Sequence, residues 1–119
     1  MMNRAKEITD RAFSLYIRRR DCPDGVGRCI SCGTLITVET CDCGHYIPRG
    51  NMATRYYERN CAAQCRPCNR YKDGNLAGFT IGLVERYGDG IIEELNALKH
   101  TTTKFSKSDY EELIKKYKP

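Results

Sequence analysis

The sequence predicts a small α+β domain that is held together by a metal ion. Two Cys-x-x-Cys pairs, with 32 residues between them, match the spacing of a tetrahedral thiolate site. A run of β-branched residues at 34–40 predicts a strand, and apolar residues recur at helical spacing on either side of the cysteine-rich stretch. We expect a single domain over residues 1–119, divided into an N-terminal helix at 4–20, a zinc-pinned core at 28–75 and C-terminal helices at 76–119.

The first predicted element is an amphipathic helix. Ile8, Ala12 and Leu15 recur at helical spacing, and three arginines at 18–20 close the run. Cations in the last turn favour the negative end of the helix dipole. Turn-forming residues at 22–27 then predict the end of the helix.

The central stretch predicts a short hairpin followed by a helix. We expect the run TLITVET at 34–40 to form a strand and residues 45–47 to return as its hairpin partner. An irregular loop or short turn is expected at 51–58. Pro67 suits the first turn of a helix, which should pause at the turn residues 73–74.

Two further apolar stripes predict helices at 76–87 and 91–98. Ser108 with Glu111 three residues later matches a capping box, which predicts the start of a last helix. The apolar face of that helix could dock a partner protein, although packing on its own domain is the default explanation; the face comprises Tyr110, Leu113, Ile114 and Tyr117.

The positive charge is concentrated in two parts of the chain. Residues 44–72 carry six Lys/Arg against one acid, and residues 1–20 carry six against two. This distribution favours a polyanionic partner such as nucleic acid over an ordinary solvated basic face. The apolar runs are too short to span or anchor in a membrane. The N-terminus lacks the apolar core of a signal peptide, so we expect a reducing cytoplasm, where paired cysteines hold zinc rather than form disulfides.

The eight cysteines fall into two groups of four. Four are predicted to hold a zinc ion: Cys29, Cys32, Cys65 and Cys68. The ion should be structural, because a closed four-sulfur site leaves no open position for catalysis. For the others, buried or exposed thiols are one interpretation and a second metal site is the alternative. In that alternative Cys41 and Cys43 combine with Cys22 or Cys61.

His45, Asn60 and Asn69 together resemble the HNH (ββα-metal) nuclease pattern, in which the third letter is often Asn. Longer strings are similar to the NinG (Rap) recombination proteins of lambda-like phages, and the likeness runs from about Tyr16 into the C-terminal helices. These strings are Cys29-Ile-Ser-Cys, Asp42-Cys-Gly-His-Tyr, Ile47-Pro-Arg-Gly and Asn60-Cys-Ala-Ala-Gln-Cys-Arg-Pro-Cys-Asn-Arg-Tyr-Lys.

The resemblance implies an enzyme, an endonuclease that hydrolyses DNA phosphodiester bonds with the help of Mg²⁺ or Mn²⁺. His45 would accept a proton from the attacking water, and Asn69 would supply an oxygen to the metal ion. Asn60 would tie down the loop and orient His45. Many HNH enzymes place Asp directly before the histidine, where this chain has Gly44. Asp42 can take the place of that aspartate as a metal ligand only if a bulge or turn brings it to His45. Residues three apart on a regular strand face opposite sides of the sheet.

No element with a clear base-reading set is apparent, so we expect selectivity for branched or single-stranded DNA rather than for sequence, as in phage or prophage recombination inside a bacterial host cell. A homodimer would fit junction cleavage, and a recombination protein could be a partner. The alternative is a non-catalytic zinc-ribbon module that binds nucleic acid and does not need His45. The expected phosphate contacts are Arg49, Arg55, Arg59, Arg66, Arg70 and Lys72.

Overall fold

The predicted N-terminal helix extends from Met2 to Asp21 and is the longest element of the molecule. The computed structural model describes residues 2–119, with side chains from Arg4 onward. The chain is a mixed α+β protein, as predicted. Its elements are α1 (Met2–Asp21), β1 (Val26–Arg28), β2 (Leu35–Thr37), β3 (Cys41–His45), α2 (Met52–Arg55), β4 (Cys61–Cys65), α3 (Leu76–Tyr87), α4 (Ile91–Lys99) and α5 (Lys107–Tyr117), with a 3₁₀ turn at Glu58–Asn60 and a π-helical turn at Pro67–Tyr71.

The strands form two separate antiparallel pairs, which corrects the predicted hairpin. β2 pairs back with β1 and not with residues 45–47. The run at 34–40 stops early because Thr37 and Thr40 close a turn: the backbone N–H of Thr37 donates to the Thr40 hydroxyl at 2.9 Å. β3 pairs with β4 across the intervening residues 46–60. A β-branched run indicates a strand but does not identify its partner.

The β3–β4 pair lies between two layers of helices. On one face, Cys61 packs with Phe13 and Ile17 of α1 and with aromatic residues of α5. On the other face, Ala62 packs with apolar side chains of α3 and α4, including Phe79. Because side chains alternate along a strand, Cys43 and His45 belong to the α1 face, whereas Asp42 and Gly44 belong to the opposite face.

The ends of several elements differ from the prediction. α5 is capped by Ser106 and Asp109, whose reciprocal hydrogen bonds measure 3.1 and 2.8 Å, and the predicted Ser108–Glu111 pair lies inside the helix. The sequence contains two candidate caps two residues apart, and the earlier one is used. The predicted loop at 51–58 contains α2.

The helix that begins after Arg66 is a single π-helical turn. It ends at Tyr71, because Asp73 and Gly74 both adopt positive φ values, 49° and 81°. None of the helices described in residues 2–119 combines the length and the apolar character needed to cross a membrane.

A candidate metal centre and the adjoining cleft

The four predicted zinc ligands come together at one end of the β3–β4 pair. The ligand atoms of Cys29, Cys32, Cys65 and Cys68 all lie within 4.8 Å of one another. The Sγ atoms of Cys32 and Cys65 are 3.7 Å apart. Four sulfurs arranged tetrahedrally with zinc–sulfur bonds of about 2.3 Å are separated by about 3.8 Å, so the cluster matches the size of a zinc ion.

The first cysteine pair is held in a tight turn. Gly33, with φ of 77°, donates its N–H to the carbonyl of Cys29 at 2.9 Å, and the N–H of Cys29 donates to Thr34 at 2.9 Å. Burial raises the pKa of the Cys29 thiol, but backbone N–H groups of both turns outweigh it and lower the pKa to about 7. A thiol that ionises near neutral pH is prepared for metal binding.

A cleft of about 650 Å³ runs along the free edge of β3, beside the metal centre. β3 has β4 as its one described neighbour, and Asp42 from one face and His45 from the other both line the cleft. The residues that line the cleft include Asp10, Asp42, His45, Arg49, Asn69 and Arg70.

His45, the last residue of β3, is held in a defined orientation. Its Nε2 atom lies 3.0 Å from the carbonyl oxygen of Arg55. A carbonyl can only accept, so Nε2 carries the hydrogen and Nδ1 is the unprotonated nitrogen of the neutral ring. Burial lowers the pKa of His45 below its usual value, which keeps the ring neutral near pH 7. The side chain is therefore suited to accept a proton or to bind a metal through Nδ1.

Asn60 fixes the loop that supplies this carbonyl. It is fully buried, and its Nδ2 donates to the carbonyls of Ile47 and Thr54 at 3.0 and 3.2 Å. Its Oδ1 accepts from the N–H of Ile47 at 2.9 Å. Asn60 thus connects Ile47, two residues after the end of β3, to Thr54 of α2. The next residue of α2 is Arg55, whose carbonyl contacts His45.

Asp42 does not reach the face that carries His45. The register of β3 and β4 is continuous from Cys41 to His45, so no bulge reverses the alternation. The Asp42 carboxylate accepts two hydrogen bonds of 2.9 Å from Arg70 and one of 2.9 Å from Asn69. Burial raises the pKa of Asp42, but these contacts outweigh it and the net shift is downward. The Nδ2 of Asn69 faces this carboxylate, which leaves its amide oxygen available to another partner.

Arg55 and Arg59, two of the predicted phosphate contacts, are bound to carboxylates, as Arg70 is to Asp42. Arg55 is buried and forms two hydrogen bonds of 2.9 and 2.6 Å with Asp10. Arg59 binds Glu94 at 2.8 Å and stacks on the ring of Tyr87 at 4.4 Å, and it does not line the cleft. The exposed cations near the cleft are Arg49, Arg66, Arg70 and Lys72.

α1 contributes residues that the sequence analysis did not assign to a site. Asp10, Ser14 and Arg18 line the cleft from one face of this helix. Their spacing of four residues could have indicated a site, because it places three polar side chains on the helix face that also carries the buried Phe13 and Ile17. Burial raises the pKa of Asp10, but hydrogen bonds from Arg55 and Tyr56 outweigh it and lower the pKa below 3.8.

The fold and the site define a small mixed α+β protein with a four-cysteine centre beside a cleft bordered by arginines. The profile of the family described as "Bacteriophage Lambda NinG protein" matches residues 3–119. Protein ninG of Salmonella phage P22 is 36% identical over 113 residues, which covers 87% of this chain and 53% of the relative. Protein ninG of Escherichia phage lambda is 36% identical and covers 87% of this chain and 52% of the relative.

The chain belongs to the NinG family. Protein ninG of Escherichia phage 933W is also similar, with 37% identity over 72% of this chain and 41% of the relative. The chain spans about half the length of the curated relatives it matches. No solved structure matches the chain.

Proposed function

We propose that this chain is a metal-dependent DNA endonuclease of the ββα-metal (HNH) type that acts on branched or single-stranded DNA. One observation carries the proposal: His45 lines a cleft bordered by arginines, and the Arg55 carbonyl holds its Nε2, which makes Nδ1 the unprotonated nitrogen of the neutral ring. A structural histidine would also donate to a carbonyl, so the position of His45 in an open cleft is the part of this observation that favours catalysis.

The order of the elements supports this assignment. β3 ends in His45, the loop ends in the buried Asn60, β4 follows, and the π-helical turn carries Asn69. An order of strand, strand and helical turn that carries these three residues is what the resemblance to the ββα-metal pattern implies, and it supports the proposal. The four-cysteine centre fixes the far end of β4 through Cys65, and so supports the same unit.

In the proposed mechanism, His45 Nδ1 accepts a proton from the water that attacks phosphorus. Asn69 would supply an amide oxygen to Mg²⁺ or Mn²⁺, a donor that a hard cation prefers. Asp42, which no bulge turns toward the face of His45, would join it only after releasing Arg70. A bound ion would stabilise negative charge on the phosphate and the leaving oxygen. Asn60 positions His45 through the loop, and Arg70, now paired with Asp42, is placed to exchange its carboxylate for a substrate phosphate.

The surface around the cleft supports unpaired DNA as the substrate. Tyr71 is 82% exposed and stands between Arg70 and Lys72 on the π-helical turn. An exposed aromatic ring flanked by cations can stack on an unpaired base while the cations bind the backbone. We further propose that the chain forms a homodimer and binds a recombination protein. Sedimentation tests the first and co-purification the second.

The proposal is tested by incubating the purified protein with linear, forked and four-way DNA in the presence of Mg²⁺ or Mn²⁺. We expect nicking that is faster on the branched substrates. His45→Ala should lower the cleavage rate by roughly 10²–10⁴-fold, the contribution typical of a general base, while DNA binding persists. His100→Ala is the matched control, because this exposed histidine lies beyond α4 and its replacement should change nothing. Absence of cleavage by the wild type with either metal would refute the proposal.

A non-catalytic nucleic-acid-binding module is the second candidate, and the state of Asp42 favours it. The carboxylate is already bound by Arg70 and Asn69, as expected of a residue with a structural role. In that case the protein would bind the same DNA substrates with the same salt dependence whether or not His45 is present, and no product would form.

A further inference from the structure

We propose that Cys43, His45 and Cys61 form a second metal site, distinct from the four-cysteine centre, that binds a thiophilic divalent cation such as Zn²⁺ or Cd²⁺. The ligand atoms of these three residues all lie within 4.8 Å of one another. Two Cys sulfurs and one His nitrogen are a ligand set that soft and borderline cations select over Mg²⁺.

The backbone of the β3–β4 pair places the three ligands together. His45 is directly opposite Cys61 in the antiparallel register, and Cys43 precedes His45 by two residues on the same face. All three side chains therefore project toward α1 from adjacent positions on the sheet. The arrangement does not depend on a flexible loop, so little reorganisation is needed when a cation binds.

The surroundings of His45 fit a metal ligand. A histidine that binds a metal usually donates its other ring N–H to a carbonyl or carboxylate. Here Nε2 donates to the carbonyl of Arg55, so the proposed site assigns coordination to the other ring nitrogen, Nδ1. The aromatic ring of Phe13 lies 6.3 Å from the imidazole ring, so the site is partly enclosed by apolar surface.

The site has an entry path and an open position. Cys61 is fully buried, whereas Cys43 is partly buried and lines the cleft together with His45. A cation can enter from the cleft, and three protein ligands leave a fourth coordination position for water. This distinguishes the second site from the four-cysteine centre, where all four positions are filled by sulfur.

A cation bound at this site would occupy the lone pair of His45, which could then no longer accept a proton. This consequence rests on the proposed function: excess zinc should inhibit DNA cleavage by occupying Nδ1, and a chelator should restore it while the four-cysteine centre keeps its ion. The binding itself does not rest on cleavage, and it is measured without DNA.

The experiment counts metal ions in the full-length, reduced chain. Protein saturated with Cd²⁺ and freed of excess by gel filtration is analysed by native mass spectrometry, and Co²⁺-substituted protein by its thiolate-to-metal absorption. We expect two ions for the wild type and one for Cys43→Ala and for His45→Ala. Cys41→Ala is the matched control, since Cys41 lies on the same strand and also lines the cleft but is not in the cluster; it should keep two.

Three results would overturn the inference: one ion in the wild type, loss of the second ion in Cys41→Ala, or retention of the second ion in His45→Ala. Cys43→Ala is preferred to a Cys61 variant because Cys61 is fully buried and its replacement could unfold the chain. Absence of DNA cleavage in every variant would refute the nuclease proposal and leave the ion counts unaffected, so the two failures can be told apart.

Discussion

Replacement of Asn60 by Ala should destabilise the protein more than any other single asparagine change near the cleft. The side chain is 0% exposed and makes three hydrogen bonds, to the N–H and carbonyl of Ile47 and to the carbonyl of Thr54. Alanine removes these bonds and leaves the N–H and carbonyl of Ile47 without a partner, whereas the Thr54 carbonyl still accepts from the N–H of Tyr57 at 3.2 Å.

The expected loss can be worked out from these contacts. A hydrogen bond contributes about 1 kcal/mol net, and a buried group left unpaired costs about 1–3 kcal/mol. With partial relaxation of the loop between β3 and α2, we expect the free energy of unfolding to fall by about 3–5 kcal/mol. That is a large fraction of the roughly 5–15 kcal/mol available to a domain.

The measurement is urea unfolding at fixed, saturating zinc, followed by circular dichroism, with the midpoint and slope compared between variants. Asn69→Ala is the control, because Asn69 is only half-buried and donates to the Asp42 side chain at 2.9 Å. Its cost should stay below about 1 kcal/mol. A cost for Asn60→Ala as small as that of Asn69→Ala would refute the role assigned to Asn60 in holding the loop.

Three further predictions concern the metal centre, an ion pair and a close packing contact. Cys68→Ala removes a buried member of the four-cysteine cluster; we expect loss of one zinc per chain by mass spectrometry and unfolding by circular dichroism, since zinc binding supplies roughly 10–16 kcal/mol in zinc-dependent domains. Asp10→Asn removes the charge-assisted hydrogen bonds to the buried Arg55 and should cost about 1.5–3 kcal/mol at pH 7. Because the folded pKa of Asp10 is lowered, this contribution is present above the unfolded pKa of about 3.8 and is lost as the pH falls through the folded value, so the difference between the two urea curves should shrink below pH 4. Gly44→Ala places a methyl group onto the Gln64 side-chain oxygen and should cost about 1–3 kcal/mol in the same assay; a neutral result would show that Gln64 can move aside.

The four-cysteine cluster was predictable from the sequence because the pattern that specifies it is local. Each Cys-x-x-Cys pair forms its own turn, and two such turns need only meet once. The pairing of the strands was not predictable, because the run at 34–40 carries a signal for extended backbone but none for its neighbour. β2 instead follows the first turn back to β1, and β3 is left to pair with β4.

The basic residues show the same limit. The charge of residues 44–72 is evident in the sequence, but the partners of Arg55 and Arg59 are not. Asp10 and Glu94 lie 45 and 35 residues away along the chain. Whether an arginine is free to bind a phosphate therefore depends on its tertiary contacts, which a count of charged residues in the sequence does not reveal.

The length of β4 has a consequence for how this chain can vary. Cys65, at one end, is a ligand of the four-cysteine centre, and Cys61, at the other end, faces His45. The five buried residues of β4 act as a spacer of fixed length between the two places. Insertion or deletion of one residue would turn the whole downstream side-chain pattern to the opposite face of the sheet. Changes in length are therefore expected in the exposed turn at Pro48–Gly50, where the backbone can absorb them, and not within β4.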